Sequence, residues 1–183
     1  MNSKTQVVEA GVIHGRFQPP HLGHMEYLLA GKSRCAFLYV GISVPDPRYM
    51  PERNHPGHRG LSSANPFTYY ERLHMLRAAL LDEGVQPAEF EIVPFPVDFP
   101  EYLEHYVPMD SRFFVTIYDD WGREKAALFR SMGLEVEVMW ERPMKDRLTT
   151  GTEIRALMAA GRSWEHLVPP GVSSYIRKKD LES

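Results

Sequence analysis

Residues 15–24, GRFQPPHLGH, lie between the apolar run of residues 7–13 and a helical pattern at residues 25–30. A strand that ends in a glycine turn and feeds a helix leaves unpaired backbone N–H groups facing one spot, with the positive end of the helix dipole behind them. Such a spot favours a phosphate. Within the stretch, His21 and His24 bracket Gly23. Side chains three apart on a first helical turn point to roughly the same side, so two imidazoles can donate N–H to a polyphosphate as charge develops on it. Gly23 has no Cβ, which lets another group approach. The same residues also fit a plainer role, as helix-start histidines that cap or fill the core.

Outward from this stretch, residues 7–13 form a first strand and residues 36–42 a second, both nearly continuous in apolarity, as expected of strands covered on both faces. Strand, helix and strand make a βαβ unit with a right-handed crossover. Further strands follow at residues 90–95, 112–118 and 134–140, so about five parallel strands with helices on both faces are expected. Asn65-Pro66 has the signals of a helix start, stopped by Gly84. A short helix is expected over 101–107, a longer one over 123–132 closed by Gly133, and another from Thr150 or Thr152 to Gly161. The whole of residues 1–183 reads as one domain, with a long loop over 43–64 and helices over 162–183.

In parallel sheets ligands collect at the carboxyl ends of the strands. The junction after the fourth strand therefore shares an edge with the first, and presents Tyr118, Asp119, Asp120 and Trp121. The two aspartates bind ribose hydroxyls or a hydrated cation, or one of them caps the next helix. Trp121 stacks on a base or packs under the loop. Near the end of the chain, Thr150 and Thr152 at a helix start, with Arg155 one turn in, make a second phosphate-binding constellation. Residues 44–64 are rich in Pro, Gly, His and Arg and include Arg48, Arg53, His55, His58 and Arg59. A loop of this length is either a flap over an anion or a solvated insertion. Glu71 and Arg72 read as a helix-surface ion pair rather than as catalytic groups.

Composition narrows the function classes. A net charge of −3 over 183 residues argues against a general nucleic-acid binder, so positive charge must be local. No run approaches the ~18 apolar residues of a membrane span, and MNSKTQ lacks the apolar core of a secretory signal, so the expectation is a cytoplasmic protein away from membranes. The single cysteine, Cys35, reads as a buried thiol. His55 and His58 lack the further ligands of a metal site, and no metal-ligating residue set is expected.

Together these segments resemble the nucleotidyltransferase superfamily of Rossmann-like α/β enzymes with an (H/T)-x-G-H signature. Within it the chain resembles the archaeal-type nicotinamide mononucleotide adenylyltransferases through VIHGRFQPPHLGH, NPFTYYERLHML and TTGTEIRALMAAGRSWEHLVP, in that order. The resemblance implies attack of an acceptor phosphate on the α-phosphorus of a nucleoside triphosphate, with release of pyrophosphate and no covalent enzyme intermediate. It assigns catalysis to His21, His24 and Arg155 and phosphate contact to Gly15, Arg16, Thr150 and Thr152; Phe17, Gln18, Gly23, Tyr118, Asp119 and Asp120, at the same junctions, complete the expected nucleotide-binding set. Mg²⁺ would be held mainly by phosphates and water. Many members assemble into homo-oligomers.

The chain departs from the adenylyltransferases at three places. Their Arg before the Asn-Pro-Phe-Thr segment is Ala64 here, with Arg59 the residue that would reach in for the acceptor. Their tryptophan segment, which packs on nicotinamide, matches only DFPEYLEHYVP, where Tyr102 or Tyr106 would substitute. Their Ser-Gly-Asn turn is replaced by Tyr118 to Trp121. IYDDWGREK and the proline-rich loop instead resemble the cytidylyltransferase domains of phosphonate biosynthesis, which use CTP and a small phosphonate or phosphate. Adenylyl transfer to nicotinamide or nicotinate mononucleotide is thus the main expectation and cytidylyl transfer its alternative. A nucleotide-binding sensor without turnover is the alternative from another class.

Overall fold

The computed structural model describes residues 7–43 and 64–182. Strands β1 (Val8–Gly15), β2 (Cys35–Ser43), β3 (Phe90–Phe95), β4 (Arg112–Ile117) and β5 (Glu135–Glu141) form one sheet in the order β3-β2-β1-β4-β5. Every pair is parallel, so the expected doubly wound sheet is the one the chain builds. Its helices are α1 (Leu22–Lys32), α2 (Tyr69–Asp82), α3 (Asp120–Ser131), α4 (Gly151–Ala159) and α5 (Pro170–Glu182). The chain runs outward from β1 through β2 to β3, then returns to the other side of β1 for β4 and β5. At that reversal the flanking connections diverge, and a crevice opens at the carboxyl ends of β1 and β4.

Alternation along β1 splits the core in two. Ile13 packs with Leu28, Leu76, Ile154 and Ile176 beneath α1, α2, α4 and α5. Val12 packs with Phe113, Ala126 and Phe129 beneath α3. Burying each such Leu, Ile or Phe stabilises the fold by about 1.5–3 kcal/mol. A Cβ at Gly31 would come within 2.3 Å of Ile13 Cδ1, so α1 lies close against β1. That contact fixes where the amino end of α1 projects. Cys35 is buried, and burial pushes its thiol pKa up to about 11, as the sequence led us to expect of a packing thiol.

Three local expectations need correction. α2 starts at Tyr69 and is capped by Thr68 rather than by Asn65. Thr68 Oγ1 accepts the Glu71 N–H at 3.2 Å and the Glu71 carboxylate accepts the Thr68 N–H at 2.7 Å. This reciprocal pair satisfies two helix-end donors, whereas an Asn cap satisfies one, so the Thr-x-x-Glu signal prevails. Glu71 and Arg72 do not pair on the surface. Glu71 meets Lys179 of α5 at 2.6 Å, and Arg72 is fully buried. α3 begins at Asp120, three residues before the pattern at 123, because Asp119 caps it. No helix among the described residues is long and apolar enough to cross a membrane.

Thr68→Ala removes the cap without touching the core. We expect a loss of about 1 kcal/mol, seen as a lower urea midpoint at unchanged slope.

Candidate active site

β1 ends at Gly15, and the chain turns through Arg16 and Phe17 into a cis Gln18–Pro19 bond. Phe17 has φ +53°, a left-handed conformation that a bulky residue seldom adopts. Gly15 makes the turn feasible, because a Cβ there would sit 3.0 Å from the buried Phe17 ring. Two distant side chains and one of the turn's own hold it in place. Arg72 Nη1 donates to the carbonyls of Arg16 and Ser43, each at 2.9 Å, which compensates a guanidinium whose pKa burial lowers to about 10. The Gln18 amide exchanges two 2.9 Å hydrogen bonds with the main chain of Phe67. Arg155 Nη1 donates to the Gln18 carbonyl at 2.6 Å.

The turn delivers His21 as the N-cap of α1. Its Nδ1 accepts the His24 N–H at 3.3 Å, which in the neutral ring leaves the proton on Nε2. The two imidazoles stack with centroids 3.6 Å apart, and His24 meets Phe17 edge-on at 4.8 Å. The capping role read from the tetrapeptide is thus observed at His21, and the same residue lines the cavity together with His24. Burial, then the charges of Arg147 and Arg155, lower the His21 pKa to about 3. Burial, then His21, Arg147 and Arg16, lower that of His24 well below its usual value. Both rings are neutral at pH 7. His24 Nδ1 has no hydrogen-bond partner among the described residues.

A cavity of about 450 Å³ opens over these rings. Among the described residues its walls carry four cations, Arg16, Lys125, Arg147 and Arg155, against the single carboxylate of Asp119, so it suits an anion. From α4, Thr150 caps the helix by accepting the Glu153 N–H at 3.2 Å, and Thr152 Oγ1 accepts from Arg155 Nη2 at 3.2 Å. A Cβ at Gly151 would lie 2.7 Å from the Gln18 carbonyl, so only glycine lets α4 close on the turn. From the β4–α3 junction, Asp119 Oδ1 accepts the Gly122 N–H at 3.0 Å. Arg147 stacks over the Tyr118 ring at 4.2 Å, and the Tyr118 hydroxyl accepts from Trp140 Nε1 at 2.9 Å.

The structure thus brings together His21, His24, Arg155, Gly15, Arg16, Phe17, Gln18, Tyr118, Asp119, Thr150 and Thr152, from three separate junctions. Gln18 lines the cavity with its side chain bonded to Phe67 and its carbonyl to Arg155. Three expected residues stand elsewhere. Gly23 packs under the site, where a Cβ would lie 3.2 Å from both the His21 ring and the Thr149 carbonyl. Asp120, its side chain 92% exposed, pairs with Arg123 at 2.7 Å because Asp119 already takes the capping position. Tyr102 is 51% exposed on the 3₁₀ turn Pro100–His105, away from the cavity wall, and Tyr106 is also exposed outside it. Arg59 and residues 44–63 of the loop expected over 43–64 lie outside the described residues.

Sequence reasoning missed His14, Lys125 and Arg147, which also line the cavity. His14 had a signal, since it stands two residues after Val12 and directly before the glycine turn. Lys125 looked like any solvated helix lysine. Arg147 sits in the unpatterned ERPMKDRL segment, where nothing local aims a side chain.

The family model described as cytidylyltransferase-like matches residues 12–157, a span that contains every cavity residue named above. Phosphonoformate cytidylyltransferase of Streptomyces viridochromogenes is 51% identical over 180 residues, 98% of this chain and 97% of that protein. The nicotinamide-nucleotide adenylyltransferase of Thermococcus kodakarensis is 33% identical, covering 94% of this chain and 84% of its own length. That of Pyrococcus horikoshii is 34% identical, covering 92% and 82%. Among solved structures, the Francisella tularensis bifunctional NMN adenylyltransferase/ADP ribose pyrophosphatase, complexed with AMP and a Mn ion, superposes with a TM-score of 0.62 at 13% identity. The match covers 95% of this chain but only 50% of that one, and it shows a shared fold. With a matching family model over most of its length and a relative half identical from end to end, the chain belongs to the cytidylyltransferase-like family and is a nucleotidyltransferase.

Proposed function

We propose that the protein transfers a cytidylyl group from CTP to a small phosphonate and releases pyrophosphate. The observation that carries this is the stacked, neutral His21–His24 pair set over the β1 turn within a ring of four cations. CTP rather than ATP is supported by the 51% identity to phosphonoformate cytidylyltransferase along nearly the full length of both chains. Adenylyl transfer to nicotinamide mononucleotide is the second reading, favoured by the archaeal relatives. Against it stands the position of Tyr102 and Tyr106, the only stand-ins for the nicotinamide-packing tryptophan, outside the cavity wall.

In this mechanism a phosphonate oxygen attacks the α-phosphorus and forms a new P–O bond. The bond from that phosphorus to the α–β bridging oxygen breaks, and its electrons leave with pyrophosphate. No protein nucleophile takes part, so positioning and charge stabilisation do the catalytic work. His21 Nε2–H and the His24 ring donate to phosphate oxygens where negative charge grows. Their neutrality suits the task, because each donor reaches the site without a buried charge of its own. Arg155, already fixed by Gln18 and Thr152, takes up charge on the leaving pyrophosphate, with Arg16 and Arg147 beside it. The hydroxyls of Thr150 and Thr152 hydrogen-bond the phosphates. Among the described residues no cluster of three or more metal-ligating side chains exists, and the one carboxylate on the cavity wall accepts a backbone N–H. Mg²⁺ would be held by phosphate oxygens and water, with Asp119 the carboxylate nearest to hand among the described residues, and it would offset triphosphate charge. A cytoplasmic setting fits the buried thiol of Cys35.

Crossing CTP and ATP with phosphonoformate, methylphosphonate and the nicotinamide and nicotinate mononucleotides, with pyrophosphate release as the readout, tests the assignment. CTP with a phosphonate is the expected productive pair. Release only with ATP and a mononucleotide would reverse the donor, and binding without any release would make the protein a sensor. His24→Ala should lower kcat by ~10²- to 10³-fold with the fold intact by circular dichroism; unchanged turnover would remove His24 from the mechanism. Arg155→Ala should weaken CTP binding by calorimetry, since a partly buried phosphate loses a charge-assisted partner.

Neutral His21 also makes stability depend on pH. Unfolded, the residue is protonated below about pH 6.5; folded, it stays neutral down to about pH 3. The unfolded chain binds the extra proton in that window, so stability falls on acidification by up to ~1.4 kcal/mol per pH unit from this residue. His21→Asn keeps a good N-cap and removes the titration. Urea midpoints at pH 7 and pH 5 should therefore differ less in the variant than in the wild type.

A further inference from the structure

His14, the third imidazole of this region, is 6% exposed at the carboxyl end of β1, and its Nε2 makes no hydrogen bond among the described residues. Leaving a buried polar atom unpaired costs about 1–3 kcal/mol, so such an atom on a cavity wall marks a place for a ligand. The ring is firmly held: it stacks on Phe95 at 4.6 Å and meets Phe129 edge-on at 5.4 Å. Phe95 reaches that position across Gly41, the β2 partner of His14, where a Cβ would lie 2.5 Å from the Phe95 ring. Glycine at 41, a phenylalanine from β3 and another from α3 thus combine to orient one imidazole. Lys125, from the same side of α3, also lines the cavity, and its charge joins burial in keeping His14 neutral.

His14 and Val12 project from β1 toward α3, whereas His21, His24, Thr150 and Arg155 come from α1 and α4 at the opposite side of the strand's end. The cavity therefore has two polar poles across the tip of β1. One holds the stacked imidazoles and the α4 hydroxyls that suit a triphosphate. The other joins a neutral imidazole to an ammonium, a pair that suits a small anion rather than a base; Tyr118 and Trp121 offer the aromatic surface a base requires. An acceptor that presents one oxygen to the α-phosphorus is oriented only when its far end is also held.

We propose that His14 and Lys125 form a subsite that grips the acceptor by its second polar group, the carboxylate of a carboxy-substituted phosphonate, and so select such acceptors over plain ones. The assignment rests on the cytidylyl-transfer reading above.

His14→Phe tests it, because the phenyl ring keeps the stack between Phe95 and Phe129 and loses only the nitrogens. With CTP as donor, the ratio of kcat/KM for phosphonoformate to that for methylphosphonate should fall by about 10- to 100-fold, the worth of a hydrogen bond to a charged group. The dissociation constant for CTP alone should match the wild type. Lys125→Met, which keeps the helix and removes the charge, should lower the same ratio and serves if His14→Phe folds poorly. An undiminished ratio in both variants, a wild type without preference between the two phosphonates, or a loss confined to CTP affinity would overturn the subsite. A wild-type enzyme that releases no pyrophosphate with any phosphonate fails at the earlier step, before any variant is made, and takes the subsite with it.

Discussion

The turn from Gly15 to Gln18 contains a buried phenylalanine in a left-handed conformation, and it persists because groups far away in the chain bind its backbone. Arg72 from α2 and Arg155 from α4 take two of its carbonyls, and Phe67 pairs with the Gln18 amide. A strained backbone of this kind costs of order 1–3 kcal/mol and survives only where its surroundings over-determine it. The reward is positional. With the turn fixed and α1 pressed on β1 through Gly31, the His21 and His24 rings have one place to be.

That rigidity bears on the chemistry. A phosphoryl-group reaction without a protein nucleophile gains from donors already aimed at the developing charge, since no reorganisation is needed when the charge appears. His21 shows how economically this is done. Its Nδ1 satisfies the first turn of α1, and the same bond orients the ring and places the proton of the neutral imidazole on Nε2. Arg155 behaves alike, bracing the turn with one nitrogen and Thr152 with another while it lines the cavity. Structure and site are built from the same hydrogen bonds.

The electrostatics follow from the division of β1 into two faces. Cations gather at the sheet edge although the chain as a whole is acidic, with net charge −3. Burial first, and these cations after it, lower the pKa of His14, His21 and His24, so the three rings are neutral at pH 7 and the arginines and Lys125 carry the charge. Asp119, the one carboxylate on the wall among the described residues, accepts an N–H of the helix it caps.

Periodicity and turn chemistry are local, and they carried the parallel sheet, the helix order and the strand-to-helix and loop-to-helix junctions at residues 15–24 and 149–155. They also held the capping position of His21, since a helix start calls for a side-chain acceptor there. Where two local signals competed, at Asn65 and Thr68, the one that satisfied more backbone donors prevailed, and the Thr-x-x-Glu pattern was there to be read. Side-chain destinations set by contacts between distant residues were not legible. Arg72 lies buried against Arg16 and Ser43 although its own helix offers it Glu71, and Tyr102 and Asp120 turn outward although their neighbours resemble a binding segment. His14 gained its meaning only when Phe95, Phe129 and Lys125, more than eighty residues away along the chain, closed around it. Sequence determines what each segment can become, because backbone preference acts between near neighbours; the packed sheet decides which polar atoms face one another, because that depends on where strands far apart in the chain come to lie.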